Sequence, residues 1–466
     1  MNKITALLTT AMMTSTVWGV SLDQYLNQVK DQNNAFQANE IKFKGAELQK
    51  KESNLFFTPQ FFFNAQKGHD SKLLNPPFLV FDQVRTERYS AGLSQEFDFG
   101  IETKLQFDLQ KNEYRGVSFN SAPNPYWDAI PALEVNIPLW ANFGAKASKA
   151  KKELTFQQRN FEQQSAKSDS QQMLVEAEIA YWRLSAAQES VAIQKKALDA
   201  ANNIYDYVTG KRKKNLGEEA DVLQAKALSE SYKLQLAQAE IEERAARRSY
   251  NLFLNQEAEV PTPTLSGLDY DSLKGFTVPE TRPGDRPDVQ ASRAQVALAK
   301  ANSQVAEEQN KPTLNLYGGY SLFGRGTQSE ALKKAGYPDR DTLYVGIKYN
   351  MPLNFSAQKD AREGARQSQR AAELNHHYIT YAQEQNWVDL TQKLKDAQLS
   401  LKLATSMEKA QRAKLDNERT RLRQGRTTTY QVLLFEQDYL SAEVQRIRAA
   451  TQIINYKSQI QLYSSK

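Results

Sequence analysis

Six segments of the chain alternate apolar and polar residues with a period of two. Leu343, Val345, Ile347, Tyr349 and Met351 alternate with Thr342, Tyr344, Gly346, Lys348 and Asn350. Leu314, Leu316, Gly318, Tyr320 and Leu322 alternate with Thr313, Asn315, Tyr317, Gly319 and Ser321, and Leu133, Val135, Ile137 and Leu139 with Glu134, Asn136 and Pro138. Phe61, Phe63 and Ala65 form one face of a run that begins at Pro59. Tyr89, Ala91, Leu93, Phe97 and Phe99 are interleaved with Ser90, Gly92, Ser94, Glu96 and Asp98. Beyond Gly100, Ile101, Leu105, Phe107 and Leu109 are interleaved with Glu102, Lys104, Gln106 and Asp108. Successive side chains of a strand point to opposite faces, so this period predicts strands with one apolar and one polar face at 58–67, 88–98, 101–111, 131–140, 312–323 and 341–352. Asp98-Phe99-Gly100 reads as a tight turn joining two of them into a hairpin.

Elsewhere the texture changes. Stretches rich in Ala, Gln, Glu, Lys, Leu and Arg, with almost no Gly or Pro, predict helices at 21–56, 143–209, 218–255, 287–310, 357–423 and 428–463. The segments 143–209 and 357–423 would each span about 100 Å at 1.5 Å per residue, which implies coiled-coil or bundle packing. Their apolar positions are sparse and often alanine, a narrow seam better suited to walls around water than to a thick core. A strand of ~9–11 residues with two unlike faces suits a membrane barrel, and a soluble sandwich would alternate in the same way. The attachment of such long helices favours the barrel.

The chain also repeats itself. Pro59-Gln60-Phe61-Phe62-Phe63 resembles Pro312-Thr313-Leu314-Asn315-Leu316, an offset of 253 residues. Asn136-Ile137-Pro138-Leu139 resembles Asn350-Met351-Pro352-Leu353 at an offset of 214, and Val222-Leu223 resembles Val432-Leu433 at 210. The expected organisation is a first repeat over 20–255, a linker over 256–286 and a second repeat over 287–466. The offset falls by about 39 residues between Pro59 and Pro138, so the first repeat carries an insertion of that size, and it coincides with the hairpin 88–111. Either this hairpin joins the barrel or it is a loop that pairs with itself. If it joins, Phe97, Leu105 and Phe107 face lipid, and Glu96, Lys104 and Asp108 face the lumen.

Composition then narrows the chemistry. The 466 residues include no cysteine and three histidines, His69, His376 and His377. Thiolate metal sites, cysteine nucleophiles and disulfides are excluded, and little is left for histidine-based zinc or triad chemistry. No catalytic residue, cofactor site or metal site is expected, and the chain is not read as an enzyme. A mean hydropathy of −0.66 argues against a bundle of membrane-spanning helices. Lys and Arg exceed Asp and Glu by 60 to 54, spread along the chain, which reads as solvated helix faces and not as a nucleic-acid surface. Met1-Asn2-Lys3, the uncharged run Ile4–Val17 and a cleavage-like Val17-Trp18-Gly19 predict a signal peptide over 1–19. On a chain without cysteine, that fits the bacterial periplasm or outer membrane.

Arg286-Pro287-Asp288-Val289 opens an alanine-rich helix carrying Ala291, Ala294, Ala297, Ala299 and Ala301, which runs into Pro312-Thr313-Leu314-Asn315-Leu316-Tyr317-Gly318-Gly319-Tyr320. Arg423-Gln424-Gly425 precedes Tyr430-Gln431-Val432-Leu433, and Leu216-Gly217 precedes Asp221-Val222-Leu223. In this order, spacing and duplication, the whole mature chain resembles the TolC family of outer-membrane efflux proteins. The resemblance implies a mixed α+β fold: a homotrimer in which each chain gives four strands to one shared outer-membrane barrel and helices to a periplasmic coiled-coil tunnel. It implies that the Pro-rich stretch Val260–Pro287 wraps the middle of that tunnel. It further implies a passive duct of a tripartite efflux or type I secretion system, in contact with outer-membrane lipid, a periplasmic adaptor and an inner-membrane transporter. The alternative is a periplasmic coiled-coil adaptor or structural protein without a pore, which would need a compact lipoyl-type β-domain that the sequence does not display.

Two turns carry the candidate site. Gly210-Lys211-Arg212-Lys213-Lys214 lies at the first, and Arg421, Arg423 and Arg426 lie at the second. Such charges suit helix C-termini, where the macrodipole favours cations. They equally suit a basic mouth that meets an acidic adaptor or favours anions. On the second reading, Leu216, Gly217, Gln424 and Gly425 form docking grooves, and Asp221, Arg423, Arg426 and Gln431 line the aperture. Glycine is expected to end each helix in the left-handed conformation. Beyond Gly425 the chain offers Gln431, Leu434 and Phe435, so no acidic ring is expected there. His376 and His377 point to different helix faces and read as solvated or inter-helix residues. Gly318-Gly319 lies in a strand and lacks the Lys-Ser/Thr of a phosphate loop.

Overall fold

The computed structural model describes residues 19–71, 83–116, 124–277 and 279–464. The signal segment expected at 1–19 falls, except for Gly19, outside the described residues. The chain forms α1 (Leu22–Gln32), α2 (Asn34–Gln49), a 3-10 turn (Lys50–Phe57), β1 (Gln60–Asp70), β2 (Gln83–Glu96), β3 (Glu102–Arg115) and β4 (Tyr126–Pro138). Then come α3 (Lys146–Lys213), α4 (Glu219–Phe253), α5 (Tyr270–Lys274), α6 (Pro287–Gln309), β5 (Thr313–Leu322), β6 (Gly324–Gly326) and α7 (Gln328–Lys334). The chain ends with β7 (Asp341–Asn350), α8 (Phe355–Arg423) and α9 (Thr429–Gln461).

Two compact units result. A helical unit takes the chain up to Phe43, Ser165–Gln290 and Ile379–Lys466, and a sheet-bearing unit takes Lys44–Gln164 and Ala291–Tyr378. They cut across the sequential halves 20–255 and 287–466, because each half sends its strands to one unit and its helical hairpin to the other. The chain passes between units inside α2, α3, α6 and α8.

Local chemistry sets the element ends. Ser21 caps α1 in a capping box with Gln24. The helix expected over 21–56 is broken at Asn33, whose extended backbone ends α1. Its Oδ1 accepts from the Phe36 N–H at 2.9 Å, starting α2, and its Nδ2 donates to the Phe253 carbonyl at 2.9 Å. β2 begins before the expected 88–98 and β3 ends after the expected 101–111. Their hydrophobic alternation stops near Tyr89, and the pairing continues through charged residues: Glu87 faces Lys111 on one side and Lys67 on the other, with a 2.6 Å ion pair to Lys67.

The core of the helical unit is built from α3, α4, α8 and α9. Leu394, Leu401, Ala450 and Ile453 are fully buried, together with Ala197, Ala201 and Tyr232. Alanine at so many contact points lets helices approach closely. A second cluster packs Tyr25, Val29, Tyr181, Leu184 and Tyr250. The segment expected to be a linker, 256–286, is tied into this unit. Leu265 joins the second cluster, Leu268 and Leu273 join the first, and Val20 bridges to Leu265. Fully buried Asn251 donates to the carbonyls of Glu257, Ala258 and Val260, the last at 2.9 Å. Within the segment lies α5, which the sequence reading did not anticipate, capped by Asp269 through the N–H groups of Asp271 and Ser272.

Candidate functional site

The sheet of the second unit is antiparallel throughout, in the order β1-β2-β3-β4-β5-β7, with β6 pairing β4 beyond the end of β5. Its register aligns the alternation of every strand. Phe61 lies opposite Leu93, Leu93 opposite Leu105, Leu105 opposite Leu133, Leu133 opposite Tyr320 and Tyr320 opposite Leu343. One unbroken row of six large apolar side chains therefore crosses the sheet, each between 40% and 71% exposed. Phe63, Ala91, Phe107 and Pro131 make a parallel row, and Val345, Ile347 and Tyr349 extend the face along β7. Exposed apolar patches of this size on a soluble surface mark a missing apolar partner.

The opposite face is polar. Gln60, Ser94, Lys104 and Glu134 lie in one row, and Lys104 approaches Glu134 at 3.9 Å. Further along, Arg88 pairs with Asp108 at 2.6 Å, and Gln106 donates to the other Asp108 oxygen at 2.7 Å. Asn112 donates to Asp128, and Arg325 from β6 grips both Asp128 oxygens at 2.7 and 3.0 Å. These bonds cross-link β2, β3, β4 and β6 on the polar face. Glu96, Lys104 and Asp108 lie on this face, and Leu105 and Phe107 on the other, as the alternation implied. Phe97 lies past the end of β2, in the turn.

The residues singled out at the helical turns lie at two turns of the helical unit, between α3 and α4 and between α8 and α9. Leu216, Gly217 and Asp221 follow α3, and Leu216 is among the most exposed leucines, at 72%. Arg423 at the end of α8 and Gln424, Gly425 and Arg426 in the turn after it are exposed, and half-buried Gln431 gives its N–H to Thr428 Oγ1, the cap of α9. Among the described residues, the bonds of each group stay within its own turn: Arg212 pairs with Glu219 at 2.9 Å, and Arg421 with Glu418 at 3.1 Å. The expectation of a glycine at each helix end is corrected at the first turn. There Asn215 takes the left-handed conformation, φ 56°, and Gly425 does so at the second, φ 70°. In both turns the following N–H, of Leu216 or Arg426, bonds back to the carbonyl five residues earlier. Asn tolerates this conformation by local side-chain bonding, so it substitutes for Gly.

His376 Nδ1 lies 2.8 Å from Ser292 Oγ, joining α8 to α6 in the sheet-bearing unit. Among the described residues no group of three or more His, Cys, Asp or Glu side chains could hold a metal ion. Among the described residues, no helix is long and apolar enough to cross a membrane. Sequence reasoning missed a charged node in the helical unit. Arg446 on α9 makes an ion pair with Glu408 at 2.8 Å and approaches Glu189 at 3.8 Å, and its guanidinium lies 4.0 Å from the Tyr270 ring centre. Tyr270 donates to Glu189 at 2.8 Å. The node joins α3, α5, α8 and α9, and no local spacing announces it. Burial pushes the Glu178 and Glu443 carboxyls up in the same unit.

No protein-family model and no curated protein sequence matches the chain. Solved structures do. The outer-membrane channel OprN is 18% identical, with 95% of this chain and 89% of that one aligned at a TM-score of 0.64. The outer membrane protein VceC of Vibrio cholerae is 12% identical, with 96% and 99% aligned at 0.65. The open state of the MtrE outer membrane channel of Neisseria gonorrhoeae is 14% identical, with 97% and 94% aligned at 0.63. Sequence identity this low speaks to architecture, and over nearly its whole length the chain has the fold of the TolC-like outer-membrane channels.

Proposed function

We propose that this protein is an outer-membrane channel for efflux. One observation carries the reading: an exposed apolar row on every main strand of a sheet whose other face is polar and internally hydrogen-bonded. Water does not favour such a sheet, whereas a bilayer outside and an aqueous lumen inside satisfy both faces. A lipid-embedded sheet must also close, because edge N–H and C=O groups have no partner in hydrocarbon. Six strands are fewer than the smallest single-chain barrels, which have eight, so closure calls for several copies; a homotrimer is the proposed assembly. The near-equal helical hairpins, 68 and 35 residues in α3 and α4 against 69 and 33 in α8 and α9, support the two-repeat organisation.

In this reading the helices form the periplasmic tunnel and the chain is a passive exit duct. An inner-membrane transporter and a periplasmic adaptor deliver its cargo, in a tripartite efflux or type I secretion assembly. The turns bearing Leu216, Gly217 and Asp221 and Arg423, Gln424, Gly425, Arg426 and Gln431 are the aperture and the adaptor-docking surface. The exposure of Leu216, Asp221, Arg423, Gln424, Gly425 and Arg426, and hydrogen bonds that among the described residues stay within each turn, support that role. Fractionation tests the whole reading: the protein should sediment with outer membranes and run as a trimer in mild detergent. Recovery as a soluble periplasmic monomer would overturn it in favour of an adaptor.

A further inference from the structure

We propose that the β2–β3 hairpin is a full pair of barrel strands, so that each chain contributes six and three copies close an eighteen-stranded barrel. This rests on the channel reading above and deepens it. A barrel of this class with four strands per chain would have twelve. Diameter grows roughly in proportion to strand number, so the lumen at membrane level would be about half as wide again.

Three observations carry the hairpin into the membrane layer. The first is order. β1 pairs with β2 along its whole length, from Gln60 opposite Ser94 to Asp70 opposite Val84. β3 pairs with β4 from Glu102 opposite Asn136 to Asn112 opposite Tyr126. A hairpin borne on an external loop would leave β1 and β4 joined, and here two strands separate them. The second is level. Leu93 and Leu105 sit in the same row as Phe61, Leu133, Tyr320 and Leu343, so any lipid layer covering β1 and β7 covers the hairpin too.

The third is the turn. Gly100, with φ 94°, lies against the start of α3, where a β-carbon would come within 2.6 Å of the Ala145 nitrogen. Glu96 accepts from Asn142 Nδ2 at 3.0 Å and from Ser148 Oγ. The tip is therefore pinned at the helix-bearing end of the sheet, and the hairpin runs the full height of the strands. The edge strands β1 and β7 are the most exposed of the main strands and keep one side unpaired. Each would meet its counterpart on a second copy of this chain.

The test uses single-cysteine variants of the full chain in outer-membrane preparations, since the chain has no cysteine of its own. Migration as the expected trimer in mild detergent serves as the check on folding. Phe61→Cys and Leu343→Cys report whether the shared strands lie in lipid, Leu105→Cys and Ala91→Cys report on the hairpin, and Lys104→Cys reports on the lumen. A charged, membrane-impermeant maleimide should label Lys104→Cys at least tenfold faster than the other four. If Leu105→Cys and Ala91→Cys label as fast as Lys104→Cys while Phe61→Cys and Leu343→Cys stay protected, the hairpin lies outside the membrane and the barrel has twelve strands. Rapid labelling of all five sinks the channel reading, and the eighteen-stranded barrel with it. Ala91→Cys replaces one small residue by another and carries the test if Leu105→Cys assembles poorly.

Discussion

The two units of the chain handle the same kind of side chain in opposite ways. In the helical unit Leu394, Leu401 and Ile453 are sealed among neighbouring helices, whereas in the sheet Leu343, Val345 and Ile347 stand open, each about 70% exposed. Both arrangements are regular and both are dictated by periodicity. The difference is where the apolar partner comes from. The helical unit supplies its own, through Ala-lined contacts, and the sheet supplies none; in the proposed channel a bilayer takes that place. The location of the exposed face, and not total hydrophobicity, is what separates a membrane barrel from a soluble sheet of the same mean hydropathy.

Substitutions that exchange the two situations should give the largest effects. Leu401→Ala should cost about 2–5 kcal/mol, because it empties a fully enclosed position. Val345→Ala should stay within about 0.5 kcal/mol, as for an uncrowded surface. Denaturation midpoints of the purified protein measure both, and equal effects would erase the contrast. Next is Leu105→Arg, expected to cost about 2–4 kcal/mol if this row lies at the bilayer midplane, read as loss of the trimer in mild detergent. Lys104→Arg, one residue away on the polar face, should leave the trimer intact. Removing a cap is a smaller change. Asn33→Ala should lower stability by about 1 kcal/mol and fray the start of α2, visible as faster amide exchange around Phe36.

The helical unit also has a pH signature. Burial raises the Glu178 carboxyl above its ordinary value, so the folded state holds its proton more tightly than the unfolded chain. Stability from this group is present at acid pH and is lost as pH rises from the ordinary carboxylate range through the raised folded value. Glu178→Gln should therefore raise the melting temperature at neutral pH and flatten its fall as pH rises above the ordinary carboxylate range. A variant less stable than the parent at pH 7.5 would contradict this. The smallest effect on stability, within about 0.5 kcal/mol, is expected from joint Arg423→Glu and Arg426→Glu changes in their exposed turn. Single-channel selectivity should nevertheless move toward cations if these side chains face the pore. Unchanged selectivity would move them to the outer face, where they could serve docking.

Much of this was legible along the chain. Each strand pattern, such as Leu343-Val345-Ile347 against Thr342-Tyr344-Lys348, announces two faces, and the long runs without Gly or Pro announce helices. The boundaries were less legible. β2 and β3 continue past Tyr89 because cross-strand ion pairs replace apolar contacts there, which only the pairing register reveals. The left-handed residue of the first turn is Asn215 and not a glycine, since the conformation is set by where α3 stops. Beside β4, α7 packs Ala331 and Ala335 on Ala129, a contact between segments some 200 residues apart with no periodic signal.

The sequence by itself determined which residues share a face, because periods of two and of 3.6 are properties of the backbone within a few residues. It determined, too, that the chain has long helices attached to short two-faced strands. Only the tertiary structure decided the order β1-β2-β3-β4-β5-β7, and with it the place of the hairpin 88–111 inside the sheet. A strand's pattern says what each of its faces prefers and nothing about which edge it will join. That choice depends on backbone hydrogen bonds between segments far apart in sequence, and here on the close fit of Gly100 against the start of α3.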